Sequence, residues 1–364
     1  MENLVVMEDS LLRKKYEGKK VFLTGHTGFK GSWMILLLSE LGANIRGFSL
    51  DPMEINSHYN LIKGNEKCTS VIGDIRDKET LKSEILEFKP DFVFHLAAQP
   101  LVRDSYERPL ETYEVNVLGT LNLLEAVREL ASPCEIVIVT TDKVYQNNEW
   151  NYPYREQDRL GGYDPYSSSK ACVELLVDSY RNSFFNSKNI KEHGKSLATA
   201  RAGNVIGGGD WSKDRLLPDI VGSLKENEQI IIRNPESVRP WQHVLDPIYA
   251  YLLLGARLQD DPIKFGRAWN FGPSVEDSMR VVELTNLSIQ LWGKGSFKII
   301  DSSQMHHEAG LLKLDVSDTS EHLLWKPRYD SVLSVQKTIE WYKNFVEYGE
   351  VISINQMKEF LYDH

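Results

Sequence analysis

Cysteine is scarce. The chain of 364 residues carries three, Cys68, Cys134 and Cys172, an odd number at no close spacing. That pattern excludes a disulfide framework and points to reduced thiols, packed as small hydrophobes, in a cytoplasmic protein. Long apolar runs are missing: none approaches the roughly 20 residues of a membrane span, so no membrane partner is expected. Positive charge is outweighed, 42 Lys and Arg against 52 Asp and Glu, for a formal net charge of -10. That balance argues against nucleic-acid binding, which needs a basic face. It leaves room for a small anionic ligand, because local arginines and helix N-termini set the local field. There is no internal repeat, no low-complexity segment and no glycine- or proline-rich linker. Residues 1–20 mix acidic with apolar side chains and are not expected to form a secretory signal. His306 and His307 are adjacent, point apart on a strand and make a poor metal pair, so no metal is expected.

What is present is ordinary for a globular protein, 41% hydrophobic and 26% charged. The length suggests roughly two domains. Short apolar runs at Val21, Ile45, Val71, Val93, Ile136 and Leu197 alternate with helix-like segments, the pattern of a doubly wound parallel α/β sheet. The first run, Lys20 to Thr24, leads straight into Gly25-His26-Thr27-Gly28-Phe29-Lys30-Gly31 and then a helix. Strand, glycine turn, helix is the setting a dinucleotide-binding motif requires, although the spacing is Gly-x-x-Gly-x-x-Gly. The glycines permit close approach of the backbone to a pyrophosphate, and the helix start supplies N–H donors. Asp51 lies about 20 residues beyond, where an acid would bond the adenosine ribose of NAD; a plain Asp-Pro turn is the alternative. Asp74 and Ile75 follow the third strand, where an adenine would lie. Leu96, Ala97 and Ala98 follow the fourth and let a cofactor approach the backbone. His95 reads as a satisfied core histidine. A long helix is expected over 110–130, with Asn116 ordering the next strand or making a structural bond.

The reactive residues cluster in two stretches. Thr140-Thr141-Asp142-Lys143 ends the apolar strand Ile136 to Val139. Tyr166-Ser-Ser-Ser-Lys170 opens a helix with its tyrosine and lysine on one face. The ammonium is expected to lower the tyrosine pKa, so that the phenolate removes a hydroxyl proton as hydride leaves the same carbon. Asp142 is expected to stay protonated through partial burial and serve as an acid. Lys143 is expected to act as a neutral base or to stabilise an enolate, with titration of the two as one coupled unit the alternative. Arg215 and Arg239 are candidates for a diphosphate, since guanidinium forks suit phosphate.

The combination of Thr24-Gly-His-Thr-Gly-Phe-Lys-Gly31, His95-Leu-Ala-Ala-Gln99, Tyr166-Ser-Ser-Ser-Lys170 and Arg201-Ala-Gly-Asn204 resembles the extended short-chain dehydrogenases/reductases over essentially the whole chain. The acid–base pair after Thr141 is similar to that of the nucleotide-sugar 4,6-dehydratases. Lys143, Gly208-Gly-Asp-Trp211 and His307-Glu-Ala-Gly310 resemble the branch acting on CDP-glucose, and the choice of cytidine rests on that resemblance alone. The resemblance implies a Rossmann-type sheet with a smaller C-terminal α/β substrate-binding lobe. Residues 1–203 would bind NAD. Residues 204–364 would mainly bind the sugar nucleotide, with segments near 240–275 returning to the first domain. It implies that Thr141, Asp142, Lys143, Tyr166 and Lys170 are catalytic. NAD would be held by Gly25, His26, Thr27, Gly28, Phe29, Gly31, Asp51, Asp74, Ile75, Leu96, Ala97, Ala98, Tyr166 and Lys170. The substrate would meet Gln99, Asn204, Arg215, Leu217, Arg239, His307 and Lys313. A homodimer or homotetramer and a role in deoxysugar supply for surface polysaccharide are implied in the same way. His26 departs from the pattern, and its bulk in the turn is expected to weaken NAD binding. The rival readings are an epimerase or dehydratase on another nucleotide sugar, and a non-catalytic NAD-binding sensor.

Overall fold

The computed structural model describes residues 10–52, 54–300 and 311–363. Seven strands form the central sheet: β1 (Lys20–Thr24), β2 (Asn44–Ser49), β3 (Thr69–Ile72), β4 (Phe92–His95), β5 (Cys134–Val139), β6 (Lys195–Ala202) and β7 (Ala268–Phe271). They pair in the order β7-β6-β5-β4-β1-β2-β3, every pair parallel, with Val21 opposite Ile45 on one side and Phe92 on the other. The helices that position the site are α1 (Phe29–Glu40), α2 (Lys78–Phe88), α3 (Gly119–Glu129), α4 (Pro165–Asn182), α5 (Leu245–Asp260), α6 (Ser331–Tyr348) and α7 (Ser353–Tyr362).

A parallel sheet is covered on both faces, and the strand period of two sends alternate side chains to opposite cores. Val21, Leu23, Phe92, Phe94, Val137 and Val139 enter one core with α1, α5, α6 and α7. Phe22, Val93, Ile136 and Ile138 enter the other with α2, α3 and α4. Helix α5 is buried on nearly every side from Leu245 to Ala256, as expected of a helix between a sheet and outer helices. Beyond β6, three short pairs flank the main sheet: Val205–Ile206 with Gln242–His243, Ile230–Ile232 with Phe297–Ile299, and Val238–Arg239 with Met279–Arg280.

The expected single helix over 110–130 is interrupted. Residues Pro109–Tyr113 are α-helical, Glu114–Leu118 form a π turn, and α3 follows. The cause is Asn116, whose buried carboxamide accepts from Gln99 N at 2.8 Å and donates to Gln99 O at 3.1 Å and Ser169 Oγ at 2.8 Å. It therefore joins the loop after β4 to α4 and does not touch the reactive strand. A π turn at such a point is typical of functional sites. The three cysteines are free. No helix of the described residues is long and apolar enough to cross a membrane.

Candidate active site

The strand order reverses between β1 and β4, and such a point is where open α/β sheets bind ligands. The carboxyl ends of β1, β4, β5 and β6 open there into a cavity of about 1790 Å³. Gly25 holds φ at 73°, and a Cβ on it would lie 2.7 Å from Ala97 N, so the turn after β1 and the loop after β4 meet at a residue without a side chain. Helix α1 starts after Gly28 with no side-chain cap and no acid in its first turn. Gly28, Phe29, Lys30 and Gly31 line the cavity, so a helix start with unneutralised amides faces it. Thr27, Asp51, Asp74, Ile75, Leu96, Ala97 and Ala98 line the same cavity. Arg76 binds Asp74 at 2.9 and 2.6 Å and holds that carboxyl below its ordinary range.

His26 does not crowd the turn. Its imidazole is fully buried beneath it, where Nε2 meets Ser70 Oγ at 2.7 Å and the ring packs edge-on to Tyr59. Gly47 makes the space: a Cβ there would sit 2.3 Å from the ring. The expected steric weakening of NAD binding has no basis in this arrangement.

The floor of the cavity is built from the end of β5 and the start of α4. Thr141 donates to Asp142 Oδ1 at 2.9 Å, and Asn204 Nδ2 reaches Oδ2 at 3.5 Å. Asp142 is 1% exposed. It lies directly over Gly203, where a Cβ would come within 2.0 Å of Oδ2. Lys143 lines the cavity and, among the described residues, makes no ion pair with Asp142 or any other acid. Helix α4 is capped by Asp164, which accepts from Ser167 N and Oγ at 2.9 and 2.6 Å, and Tyr166 N donates to Ser105 Oγ at 3.1 Å. These bonds fix Tyr166 at the cavity wall. Lys170 Nζ donates to Val139 O at 3.2 Å. Burial pushes the Tyr166 phenol up to about 12, opposed by the Thr141 hydroxyl, and burial pushes the Lys170 ammonium down to about 8. The expectation of a lysine-depressed tyrosine is therefore reversed: desolvation outweighs the ammonium, which faces a strand carbonyl.

Asn204 takes a left-handed turn, φ 48°, directly after β6. It lines the cavity with Arg215, Leu217 and Arg239, and Arg215 is held by the buried Asp210 at 3.3 Å. Gln99 is not brought to the cavity. Its carboxamide bonds Leu101 N at 2.6 Å, Leu101 O at 3.0 Å and Thr112 Oγ1 at 3.2 Å, which closes its own loop. Lys313 also lies off the lining; its carbonyl accepts from Tyr154 N. His307 falls outside the described residues.

This geometry agrees with the sequence comparisons. The family described as GDP-mannose 4,6 dehydratase matches residues 22–338. The chain belongs to this family. One relative, a CDP-glucose 4,6-dehydratase of Salmonella typhimurium, is 48% identical over 344 residues, 94% of this chain and 96% of the relative. Another, a CDP-paratose 2-epimerase of Salmonella typhi, is 28% identical over 88% of this chain and 98% of its own. Among solved structures, DesIV, a dTDP-glucose 4,6-dehydratase from Streptomyces venezuelae with NAD bound, superposes with a TM-score of 0.77 at 21% identity, covering 92% of this chain and 99% of that one. At that identity the likeness concerns the fold.

Three residues of this 4,6-dehydratase-family site have no role assigned from sequence: Lys30, Glu174 and Arg201. Lys30 lines the cavity, half-buried, and is pushed down to about 7 by burial and then by Arg215 and Lys170. Glu174 and Arg201 form a buried pair at 2.9 Å beneath the floor. A charged residue four positions beyond Lys170, between the buried Val173 and Val177, was the available signal for Glu174. The wall residues fit a dinucleotide: uncapped helix amides suit a pyrophosphate, Asp51 a ribose, and the small residues after β4 a flat ring.

Proposed function

We propose that this protein is an NAD-dependent nucleotide-sugar 4,6-dehydratase that converts CDP-D-glucose to CDP-4-keto-6-deoxy-D-glucose. The observation that carries this is the Thr141-Asp142-Lys143 stretch beside Tyr166 on the floor of a cavity whose wall suits a dinucleotide. The 48% identical relative supports the choice of CDP-glucose. NAD held by the wall residues would supply the hydride acceptor for oxidation at C4 and the hydride donor for reduction at C6, with no net consumption.

The chain's own residues handle the protons. Tyr166 takes the C4 hydroxyl proton. With the phenol up near 12, that role requires positive charge to draw its own proton away, and Lys170 is the cation on the same helix face. Thr141 hydrogen-bonds the C4 oxygen. The C4 ketone acidifies the C5 proton, which Lys143 removes while Asp142 protonates the departing C6 hydroxyl. Arg215 and Arg239 take the diphosphate. Leu110, Leu118 and Leu175 are exposed on the helices around α3 and α4, and a second copy of the chain would cover them. The reduced thiols and the sugar-nucleotide substrate suit a cytoplasmic enzyme supplying deoxysugars.

Purified protein incubated with NAD and CDP-glucose is expected to yield a product one water lighter with a new C6 methyl signal by NMR. Loss of water from only a dTDP-, UDP- or GDP-linked sugar would retain the chemistry and remove cytidine. No turnover of any of them would remove the enzyme reading.

A further inference from the structure

The buried pair under the floor has a geometry that packing alone does not require. Glu174 is 2% exposed and Arg201 3%. Glu174 Oε1 accepts from Thr140 Oγ1 at 2.5 Å, and Oε2 accepts from Thr199 Oγ1 at 2.8 Å and Arg201 Nη2 at 2.9 Å. Arg201 Nη1 donates to Tyr145 Oη at 2.8 Å and Glu156 O at 3.0 Å, with its guanidinium 5.0 Å from the centre of the Tyr145 ring. Tyr145 in turn donates to Asn270 Oδ1 at 2.6 Å on β7. The pair thus grips the chain at Thr140 and again at Tyr145. The residues between those two grips are Thr141, Asp142, Lys143 and Val144.

The same carboxylate serves the helix. Glu174 lies four residues beyond Lys170, on the same face of α4. Lys170 Nζ bonds the carbonyl of Val139, the neighbour of Thr140. The other titratable groups facing Lys170 are Tyr166 on its own helix, His95 on β4 and Lys30 on α1. Burial holds His95 neutral, at about 3, and Lys30 is cationic or neutral, so none of these offsets the burial of the ammonium. Glu174 does offset it. Buried ion pairs commonly add little net stability over apolar residues of similar size, which leaves a positional role as the reason for this one.

We propose that Glu174, with Arg201 as its fixed counter-ion, is a positioning residue of the active site, clamping the Thr141–Val144 segment against α4 and keeping Lys170 charged. The inference deepens the proposed function and rests on that reading for its effect on turnover. Its test does not. In protein labelled with 13C-lysine, the Lys170 resonance, assigned by its loss in Lys170→Met, is titrated in wild type and in Glu174→Gln. The glutamine keeps the shape and removes the charge. The expected result is a Lys170 midpoint lower by about one pH unit. The alkaline limb of turnover should fall with it by the same displacement. If Glu174→Gln does not fold because Arg201 is left unpaired, Glu174→Gln/Arg201→Gln replaces it, and a smaller fall in the midpoint is expected because loss of the guanidinium charge partly offsets loss of the carboxylate. An unmoved midpoint in a folded variant overturns the inference. So does a midpoint that moves while the turnover profile stays in place. If wild type turns over no nucleotide sugar, the proposed function falls, and the lysine midpoint still decides the charge on Lys170.

Discussion

Two clusters of polar side chains lie on opposite sides of the dinucleotide helix, and they are satisfied in opposite ways. Behind α1, the imidazole of His58 bridges Ser32 Oγ at 2.7 Å and Ser353 Oγ at 2.8 Å. Trp341 Nε1 donates to the same Ser353 Oγ at 2.8 Å, and Trp33 Nε1 donates to Gly208 O at 3.0 Å. Trp33 stacks on His58 with centroids 4.6 Å apart. There each polar atom answers another, and the cluster fastens α6 and α7 to the glycine loop at 207–209. In front of α1, Lys143 has no acidic partner among the described residues, Tyr166 faces the cavity, and Asp142 takes one good bond and one long one. Groups that answer each other hold a fold together, whereas groups left with open valence face a ligand.

The largest expected effect sharpens that contrast. Tyr166→Phe removes the proton acceptor and should lower turnover by about 10³-fold or more, while stability changes by less than about 1 kcal/mol. Initial rates of keto-sugar formation and a urea unfolding curve measure the two. A loss of several kcal/mol with modest loss of rate would put Tyr166 among the structural groups. Lys143→Met comes next. It should lower turnover by about 10²-fold, again with little change in stability. Exchange of the C5 hydrogen with deuterated water separates its roles. Complete loss of exchange fits a base, and slowed but measurable exchange fits an electrostatic stabiliser.

The order of the fold was legible in sequence because its signals are local. An apolar run entering Gly25 and a tyrosine four residues before a lysine are each contained within one element and its turn. What was not legible depends on pairing between elements. The fate of His26 turns on Gly47, which the β1–β2 register sets opposite Leu23. Gln99 stands as a substrate ligand on the resemblance alone, and the bonds of its carboxamide to Leu101 and to Thr112 depend on how its loop folds back. The Tyr166 phenol rises where the adjacent lysine suggested a fall, because depth of burial is a tertiary quantity. Glu174 and Arg201 meet across a helix and a strand, and neither residue announces the other in the linear chain.

The smallest expected effect is the share of His58 alone, which tests the satisfied cluster by pH. Ser32 Oγ donates to Phe29 O at 2.8 Å, so it accepts a hydrogen bond from His58 Nδ1–H, and Nε2 is left to accept from Ser353. That chain of bonds requires the neutral imidazole. Burial lowers the His58 pKa to about 3, and burial lowers His95 and His243 to about 3 as well. In the unfolded chain each protonates near 6.5. Between 6.5 and about 3 the unfolded state therefore binds more protons, and stability falls as the pH falls. Each such histidine contributes a slope of about 1.4 kcal/mol per pH unit in that window. Urea unfolding at pH 7, 6 and 5 should show the decline, and His58→Gln should show a shallower one from a lower starting stability. An unchanged midpoint from pH 7 to 5 would mean that these imidazoles protonate within the folded protein, and the cluster behind α1 would then have the open valence assigned here to the cavity floor.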